Sequence, residues 1–240
     1  MRTMTKRKNF PGFKGHRFPP EIIEYAVWLY FRFSLSLRDV EDLLAERGIA
    51  VSHETIRFWV GKFGRLYAKA IRRDRPPVGD KWHLDEVVIS IRGKKHWLWR
   101  AVDHYGNTLD ILVQSRRNTK AAKRFMRKLM KQYGVPRVMI TDKLRSYGAA
   151  KRVLAPGLEH RSHKGLNNAA EVSHKPTRRR ERVMGRFKSA RHAQQFLSAH
   201  DQINVLFRPH RHRLTAISYR HARSDAYAVW HDITCEIAVG

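Results

Sequence analysis

Three carboxylates in this chain, Asp85, Asp142 and Glu171, are of the type that holds divalent metal ions. Hard cations such as Mg²⁺ prefer carboxylate oxygens and keep open positions for water and substrate phosphate, so a few acids suffice. Two such ions, about 3.5–4 Å apart, stabilise both the attacking and the leaving oxygen when a phosphodiester is cleaved. If the fold brings the three side chains together, the sequence predicts metal-dependent phosphodiester chemistry with Asp85 between the two ions.

The local sequence around each acid predicts the element that positions it. The first acid lies within 82–91, a stretch rich in β-branched residues that predicts a strand. The second closes 138–142, an apolar run typical of a parallel strand buried on both faces, and open α/β sheets bind ligands at the carboxyl ends of such strands. The third follows Asn167 and Asn168, which predict a helix start. We therefore expect the three acids to converge.

The surrounding region predicts an α/β fold, with a mixed sheet and flanking helices. Three consecutive strands joined by tight turns predict an antiparallel meander. A helix that ends at Gly134 and Pro136 then leads into the central parallel strand, and a further helix and a short strand follow. The predicted strands are 81–91, 96–103, 108–114, 138–142 and 159–163, and the predicted helices begin near 119 and 144.

The net charge indicates the partner. The chain has 49 Lys and Arg against 21 Asp and Glu, a formal charge of +28, which is more than solubility requires. A polyanion is the simplest partner for such a chain. Membrane lipid is disfavoured because the longest apolar stretch, 22–31, is too short to span a bilayer and is followed by Arg32. We therefore expect nucleic acid as the partner and no membrane.

The chain before the sheet predicts a small all-α domain. Pro19 and Pro20 begin a first helix, Ser36 with Asp39 forms a capping-box pattern for a second, and Ser52 caps a third. Helix, glycine-containing turn and helix are typical of a helix-turn-helix. The predicted division is a flexible basic arm (1–18), a helix-turn-helix domain (19–72), a linker (73–80) and a catalytic domain with C-terminal helices (81–240).

The third helix is the candidate for DNA recognition. In this interpretation it enters the major groove with His53, Glu54 and Arg57 near base edges and Lys62 nearer to phosphate. The alternative is an ordinary three-helix packing unit with solvated polar faces. The basic charge and the acids downstream favour the DNA-binding interpretation.

A second basic feature follows the third acid on the same segment. Arg178, Arg179, Arg180 and Arg182 form a concentrated run, which we expect to follow the phosphate backbone of DNA. The alternative is a solvated helix face without a partner.

Other candidate ligands carry less weight. His160, His163 and His174 are metal ligands by residue type, but their spacing gives no further support, and we expect structural or phosphate-contacting roles. Cys235 is the only cysteine, so the chain has no cysteine-rich zinc site, and a single thiol is typical of a reducing cytosol. The segment 1–16 is basic and polar without an apolar stretch, so we expect no signal peptide.

Several motifs occur in an order that is specific. They are Trp82-His83-Leu84-Asp85-Glu86, Tyr105-Gly106 after Ala101-Val102-Asp103, Thr141-Asp142-Lys143, Ser146-Tyr147-Gly148, and Asn167-Asn168 leading to Glu171. This order resembles the DDE transposases of bacterial insertion sequences, and more narrowly the insertion-sequence-six family. The resemblance covers nearly the whole chain from Phe18 onward. It implies a ribonuclease H-like fold, catalytic and metal-binding roles for Asp85, Asp142 and Glu171, and contact of Arg178 with the transposon end.

The resemblance also implies an activity and its requirements. We expect a bacterial enzyme that binds the terminal inverted repeats of an insertion sequence and uses two Mg²⁺ ions, with Mn²⁺ as a substitute, for strand cleavage and strand transfer. Its partners would be transposon ends and target DNA, held by a homo-oligomer in the cytoplasm at the nucleoid. Two alternatives are a DNA-binding regulator with a degenerate ribonuclease H-like domain and a metal-dependent nuclease without strand transfer. Pro176 predicts a kink in a helix that continues from Glu171.

Overall fold

The computed structural model describes residues 12–184, 187–208 and 214–239. Contacts between residues divide the chain into two compact units. One consists of Pro76–Asp201, and the other of Met1–Arg75 together with Gln202–Gly240. The predicted catalytic domain reached to residue 240, whereas the residues from 202 onward cluster with the N-terminal helices.

The N-terminal part of the helical unit has the predicted caps. Ser36 and Asp39 form a reciprocal capping box, in which the Ser36 hydroxyl accepts from the Asp39 amide at 3.1 Å and the Asp39 carboxylate accepts from the Ser36 amide at 2.7 Å. Ser52 accepts from the Thr55 amide at 3.3 Å and so begins the third helix. The three helices are α1 (Pro20–Arg32), α2 (Leu37–Ala45) and α3 (His53–Asp74).

The C-terminal helix Ala216–Val239 completes the core of this unit. Tyr67 of α3 and Trp230 of the C-terminal helix are both buried, and their rings meet edge to face with centroids 4.9 Å apart. Within the three-helix part, α1 and α3 approach closely, because a Cβ on Gly64 would lie 2.4 Å from the Phe31 ring. The aromatic core therefore explains why the end of the chain joins the helical unit and not the sheet.

The predicted basic arm is partly wrong. Residues 1–11 lie outside the described residues, but the remainder of the arm packs against α3 instead of extending into solvent. Phe13 is buried and stacks on Phe63 with ring centroids 4.5 Å apart, and Phe18 meets Trp59 edge to face. Burial of these aromatic rings holds a segment that its composition marked as loop.

The second unit is built on the predicted mixed sheet. The strands are β1 (Lys81–Ile91), β2 (Lys94–Asp103), β3 (Thr108–Gln114), β4 (Val138–Thr141) and β5 (Glu159–Ser162). Their order in the sheet is β3-β2-β1-β4-β5. The β3–β2 and β2–β1 pairs are antiparallel, and the β1–β4 and β4–β5 pairs are parallel. Gly93 and Gly106 have positive φ values of 79° and 87° in the two turns of the meander, where an L side chain would be strained.

Helices cover this sheet and carry the C-terminal part of the unit. The core on one side contains Trp99, Phe125 and Tyr147, all fully buried. Pro176 lies in the first turn of a new helix after a break at His174, so the helix is interrupted where the sequence predicts a kink. No helix in the described part of the chain is long and apolar enough to cross a membrane. The helices are α4 (Thr119–Tyr133), α5 (Arg145–Leu154), α6 (Asn168–Ser173), α7 (Lys175–Val183), α8 (Ala190–Leu206) and, in the helical unit, α9 (Ala216–Val239).

Candidate metal centre

Asp85 and Asp142 come together because β1 and β4 are parallel neighbours. Leu84 pairs with Thr141 in this ladder, so each acid lies one residue beyond a paired position and both stand at the same level. Neighbouring strands lie about 4.8 Å apart, which brings residues at one level within reach of a shared ion. The amide of Leu144 donates to Asp142 Oδ1 at 3.0 Å and orients that carboxylate.

A third carboxylate, Glu86, joins this pair. One ligand oxygen of each of Asp85, Glu86 and Asp142 lies within 4.8 Å of the others. The Glu86 side chain is buried, and it accepts hydrogen bonds from Arg117 Nε at 2.7 Å and from the Tyr147 hydroxyl at 2.8 Å. Burial raises the pKa of Glu86 to about 7, although the hydrogen bond from Tyr147 opposes the rise. Glu86 is not among the predicted ligands, because in the sequence it appears only as the last residue of the Trp82–Glu86 motif.

Arg117 balances the negative charge of this cluster. Its Nη2 lies 2.5 Å from Glu86 Oε1 and 3.4 Å from Asp142 Oδ2, and its guanidinium lies over the Trp97 ring at 5.0 Å. Carboxylates this close repel one another unless a cation stands between them. In this arrangement the arginine supplies that cation.

Glu171 lies in the first turn of α6, as predicted. Asn167 occupies the position before this helix, but its side chain makes no capping hydrogen bond and donates instead to the Leu84 carbonyl at 2.9 Å. The start of α6 is thereby tied to β1 beside Asp85. Asp85 and Glu171 both border an open cleft. The cleft is lined by Asp85, Glu86, Val87, Glu171, His174, Lys175, Arg178, Arg179 and Arg182.

His174 also reaches the site. Its Nε2 lies 3.3 Å from Asp85 Oδ2. Burial lowers the pKa of His174, although the neighbouring Asp85 carboxylate opposes that shift. By sequence spacing, His174 is no stronger a candidate ligand than His160 or His163. In the structure, His160 contacts the Thr141 hydroxyl at 2.8 Å, and His163 accepts from the Gly165 amide. One feature of the sequence could have indicated that His174 belongs to the site. This histidine lies three residues after Glu171, and residues three apart share a helix face.

A buried arginine holds the helices of the cleft against the sheet. Arg100 faces Asp85 in the β1–β2 ladder and is 1% exposed. It donates through Nη1 to the Ser173 carbonyl at the end of α6 and through Nη2 to Thr177 Oγ1 of α7 at 2.6 Å. The same Nη2 lies 2.7 Å from Asp201 Oδ2 of α8. One guanidinium therefore connects β2 with three helices.

The partner of this arginine stays ionised. Burial by itself raises the pKa of Asp201, but the charge of Arg100 and the hydrogen bond with His200 lower it overall. Burial lowers the pKa of His200, whose ring stacks on Phe196 with centroids 5.3 Å apart. The group is a buried ion pair that depends on both members.

The predicted basic run is exposed at three of its four positions. Arg178, Arg179 and Arg182 are exposed and line the cleft. The prediction was wrong for Arg180, which is 1% exposed and lies over the Phe196 ring at 5.5 Å. One face of α7 must pack on the unit, and Arg180 is on that face with Thr177. Its guanidinium is thus a packing group and not a surface for DNA.

The residues predicted to contact DNA from the helix-turn-helix domain lie on α3. Arg57 Nη1 lies 2.6 Å from Glu54 Oε1, and both side chains are more than half exposed. His53 Nδ1 lies 3.1 Å from Glu41, while Lys62 contacts His16 at 2.8 Å. The three residues at the helix start therefore form a polar cluster, with Lys62 further along the helix.

The donor set fits a hard divalent cation. Asp85, Glu86 and Asp142 offer only oxygen atoms, and among the described residues they form the one group of three His, Cys, Asp or Glu side chains close enough to share an ion. Oxygen-only donors suit Mg²⁺ and Mn²⁺ and disfavour zinc.

Comparison with known proteins identifies the family. The family model for a DDE domain matches residues 79–210. A Staphylococcus aureus transposase for insertion sequence-like element IS431mec is 33% identical over 207 residues, covering 84% of this chain and 91% of the relative. The S. aureus transposase for insertion sequence element IS257 in transposon Tn4003 has the same identity and coverage. The chain belongs to the DDE transposases of the insertion-sequence-six family.

The family confirms the predicted ribonuclease H-like fold and DDE enzyme class, and it implies the use of divalent metal and a DNA substrate. Among solved structures, the HTLV-2 integrase catalytic core domain in complex with magnesium matches over 55% of this chain and 88% of its own, with 10% identity and a TM-score of 0.39. That likeness is too distant to assign residues.

Proposed function

We propose that Asp85, Asp142 and Glu171 are the catalytic acids of this transposase. The observation that carries the proposal is the parallel β1–β4 register, which brings Asp85 and Asp142 to one level. Glu171 on α6 lines the same cleft as Asp85. Hydrolysis at the element's ends and transfer of the freed 3′-hydroxyl to target DNA are the proposed reactions.

The three acids would hold two Mg²⁺ ions, with Mn²⁺ as a substitute. When bound, such ions stabilise the attacking and leaving oxygens of a phosphodiester. His174 orients the Asp85 carboxylate from one side, and Asn167 fixes the start of the helix that carries Glu171. Arg117 holds Glu86 and neutralises charge that would otherwise repel phosphate.

The proposed DNA contacts are charged or polar side chains that solvent reaches on α3 and α7. His53, Glu54 and Arg57 of α3 would read the terminal inverted repeats, with Lys62 nearer to phosphate, while Arg178, Arg179 and Arg182 would follow the backbone beside the acids. A homo-oligomer would hold both ends, acting on the bacterial nucleoid in the cytoplasm.

Product analysis tests this function and separates it from the two alternatives. The full chain is incubated with labelled terminal-repeat duplex, target plasmid and Mg²⁺ or Mn²⁺. We expect cleaved ends and end–plasmid joints, both abolished by a chelator. Cleavage without joints would show that the protein is a nuclease without strand transfer. Specific binding without either product would show that it is a DNA-binding regulator.

A further inference from the structure

The outward face of α4 is strongly basic. The helix contains six Lys and Arg and no acidic residue, and its inward face is apolar. Lys128 Nζ lies 2.7 Å from Asp110 Oδ2. No carboxylate of the described residues pairs with the other five, which are Lys120, Lys123, Arg124, Arg127 and Lys131.

The spacing of these charges is unfavourable for the helix itself. Positions three or four apart on a helix are neighbours, and like charges there destabilise it. Lys120 neighbours Lys123 and Arg124, and Arg127 neighbours Lys123 and Lys131. The first turn also has no acid to complement the helix dipole. A polyanion bound along this face would remove the repulsion.

The shape and length of the face fit a DNA backbone. Thr119, Lys120, Lys123, Arg124 and Arg127 line a shallow hollow. At 1.5 Å per residue, the stretch from Lys120 to Lys131 is about 16 Å long. The phosphates of one B-DNA strand rise about 3.4 Å each along the duplex axis, so a face of this length, laid parallel to that axis, spans the rise of about five nucleotides.

This face begins at the candidate metal centre. Asn118 caps α4, and the residue before it, Arg117, contacts both Glu86 and Asp142. The other basic surface, on α7, lines the cleft of Asp85 and Glu171 instead. Two distinct basic surfaces, on α4 and α7, therefore lead to one cluster of acids.

We propose that the α4 face binds the target duplex while the α7 surface binds the transposon end. Strand transfer requires two duplexes at one centre, and each surface offers one path to it. This inference rests on the proposed function, because it assigns the second DNA of that reaction. Contacts of Lys and Arg with phosphate carry no sequence information, so this face would accept a duplex of any sequence.

The test uses the full chain with Lys123→Gln, Arg124→Gln and Arg127→Gln combined. The matched control removes three exposed positive charges elsewhere in the unit, through Lys94→Gln, Lys95→Gln and Arg152→Gln. Two reactions are measured: cleavage of a terminal-repeat duplex, and joining of pre-cleaved ends to a plasmid. Binding of a scrambled duplex is measured across a salt series.

We expect the α4 variant to cleave ends within about threefold of the unmodified chain. Joining should fall roughly ten- to a hundredfold at physiological salt, as expected for two or three lost phosphate contacts. More plasmid should restore the joining, and the salt slope for scrambled duplex should fall by about two to three. The control variant should change joining far less.

Two results would overturn the proposal. If cleavage and joining fell together, α4 would bind the transposon end and not the target. If neither joining nor the salt slope changed, the α4 face would not bind DNA. A failure of the proposed function has a different signature. The unmodified chain would then give no cleavage, and the salt slope for scrambled duplex would still show whether α4 binds DNA.

Discussion

At the scale of single residues, the acids of the centre differ in how far solvent reaches them. The Asp85 and Asp142 side chains are 14% and 27% exposed, whereas the Glu86 side chain is fully buried and hydrogen-bonded to Arg117 and Tyr147. A catalytic ion must be reached by water and substrate as well as by its ligands. This difference favours Asp85 and Asp142 as ligands and leaves Glu86 as the buried neighbour whose charge Arg117 balances.

We expect Asp85→Ala, Asp142→Ala and Glu171→Gln each to lower cleavage about a thousandfold or more. Each loses charge stabilisation worth several kcal/mol in the transition state. Cleavage is measured on labelled terminal-repeat duplex, and thermal melts and binding of the same duplex should be nearly unchanged. Glu159→Gln is the matched control, since Glu159 is an exposed acid that pairs with Arg161. Normal cleavage by any of the three purified variants would remove that acid from the site.

At the scale of elements, the cleft depends on how α6, α7 and α8 are held against the sheet. Arg100 is the shared donor for the first two helices and the partner of Asp201 in the third. A buried ion pair adds little when compared with apolar packing, but loss of one member leaves the other charge buried and uncompensated.

Asp201→Asn should therefore destabilise the protein by about 3–5 kcal/mol at pH 7. The pKa of Asp201 is lowered in the folded chain, so its contribution is present above the unfolded value near 3.9 and is lost as pH falls through the folded value. Chemical denaturation at several pH values checks this, and the gap between the two proteins should narrow in acid. Asp80→Asn, at an exposed pair with Arg137, should change little. A gap that widened in acid would contradict the assignment.

Elements with a local pattern could be predicted from the sequence, whereas long-range partners could not. The meander strands and the Ser36 box follow from alternation, turn residues and capping, which act over a few positions. The burial of Arg180 depends on which face of α7 meets Phe196, and a run of arginines carries no sign of that face. The Arg100–Asp201 pair joins residues about a hundred positions apart, and no local periodicity indicates such a pair.

We expect α3 to carry recognition of the terminal repeat by the N-terminal helices. Arg57→Ala should weaken binding of the terminal repeat relative to a scrambled duplex by about 1–3 kcal/mol, because a side chain that reads a base edge discriminates by that amount. Competition binding at matched salt measures the preference. Lys69→Ala is the control, since Lys69 is exposed on the same helix. Equal losses on both duplexes would make Arg57 a phosphate contact, and no loss would favour the packing-unit interpretation.

At the scale of the whole molecule, a formal charge of +28 makes DNA affinity depend on counterion release. The logarithm of the binding constant should fall by roughly 0.9 per neutralised phosphate for each tenfold rise in salt. The exposed arginines of α7 differ from the rest of this charge because they line the cleft of Asp85 and Glu171. We therefore expect DNA that reaches the acids to pass these arginines.

Replacement of Arg178, Arg179 and Arg182 by Gln should lower the salt slope by about one to three and weaken terminal and scrambled duplexes alike. Binding isotherms across a salt series give the slope for each duplex. Arg180→Gln is the contrasting variant, because Arg180 is buried over Phe196. It should lower the melting temperature and leave the slope unchanged. An unchanged slope in the triple variant would mean that these arginines do not contact DNA. A loss of affinity confined to the terminal repeat would assign them to sequence recognition.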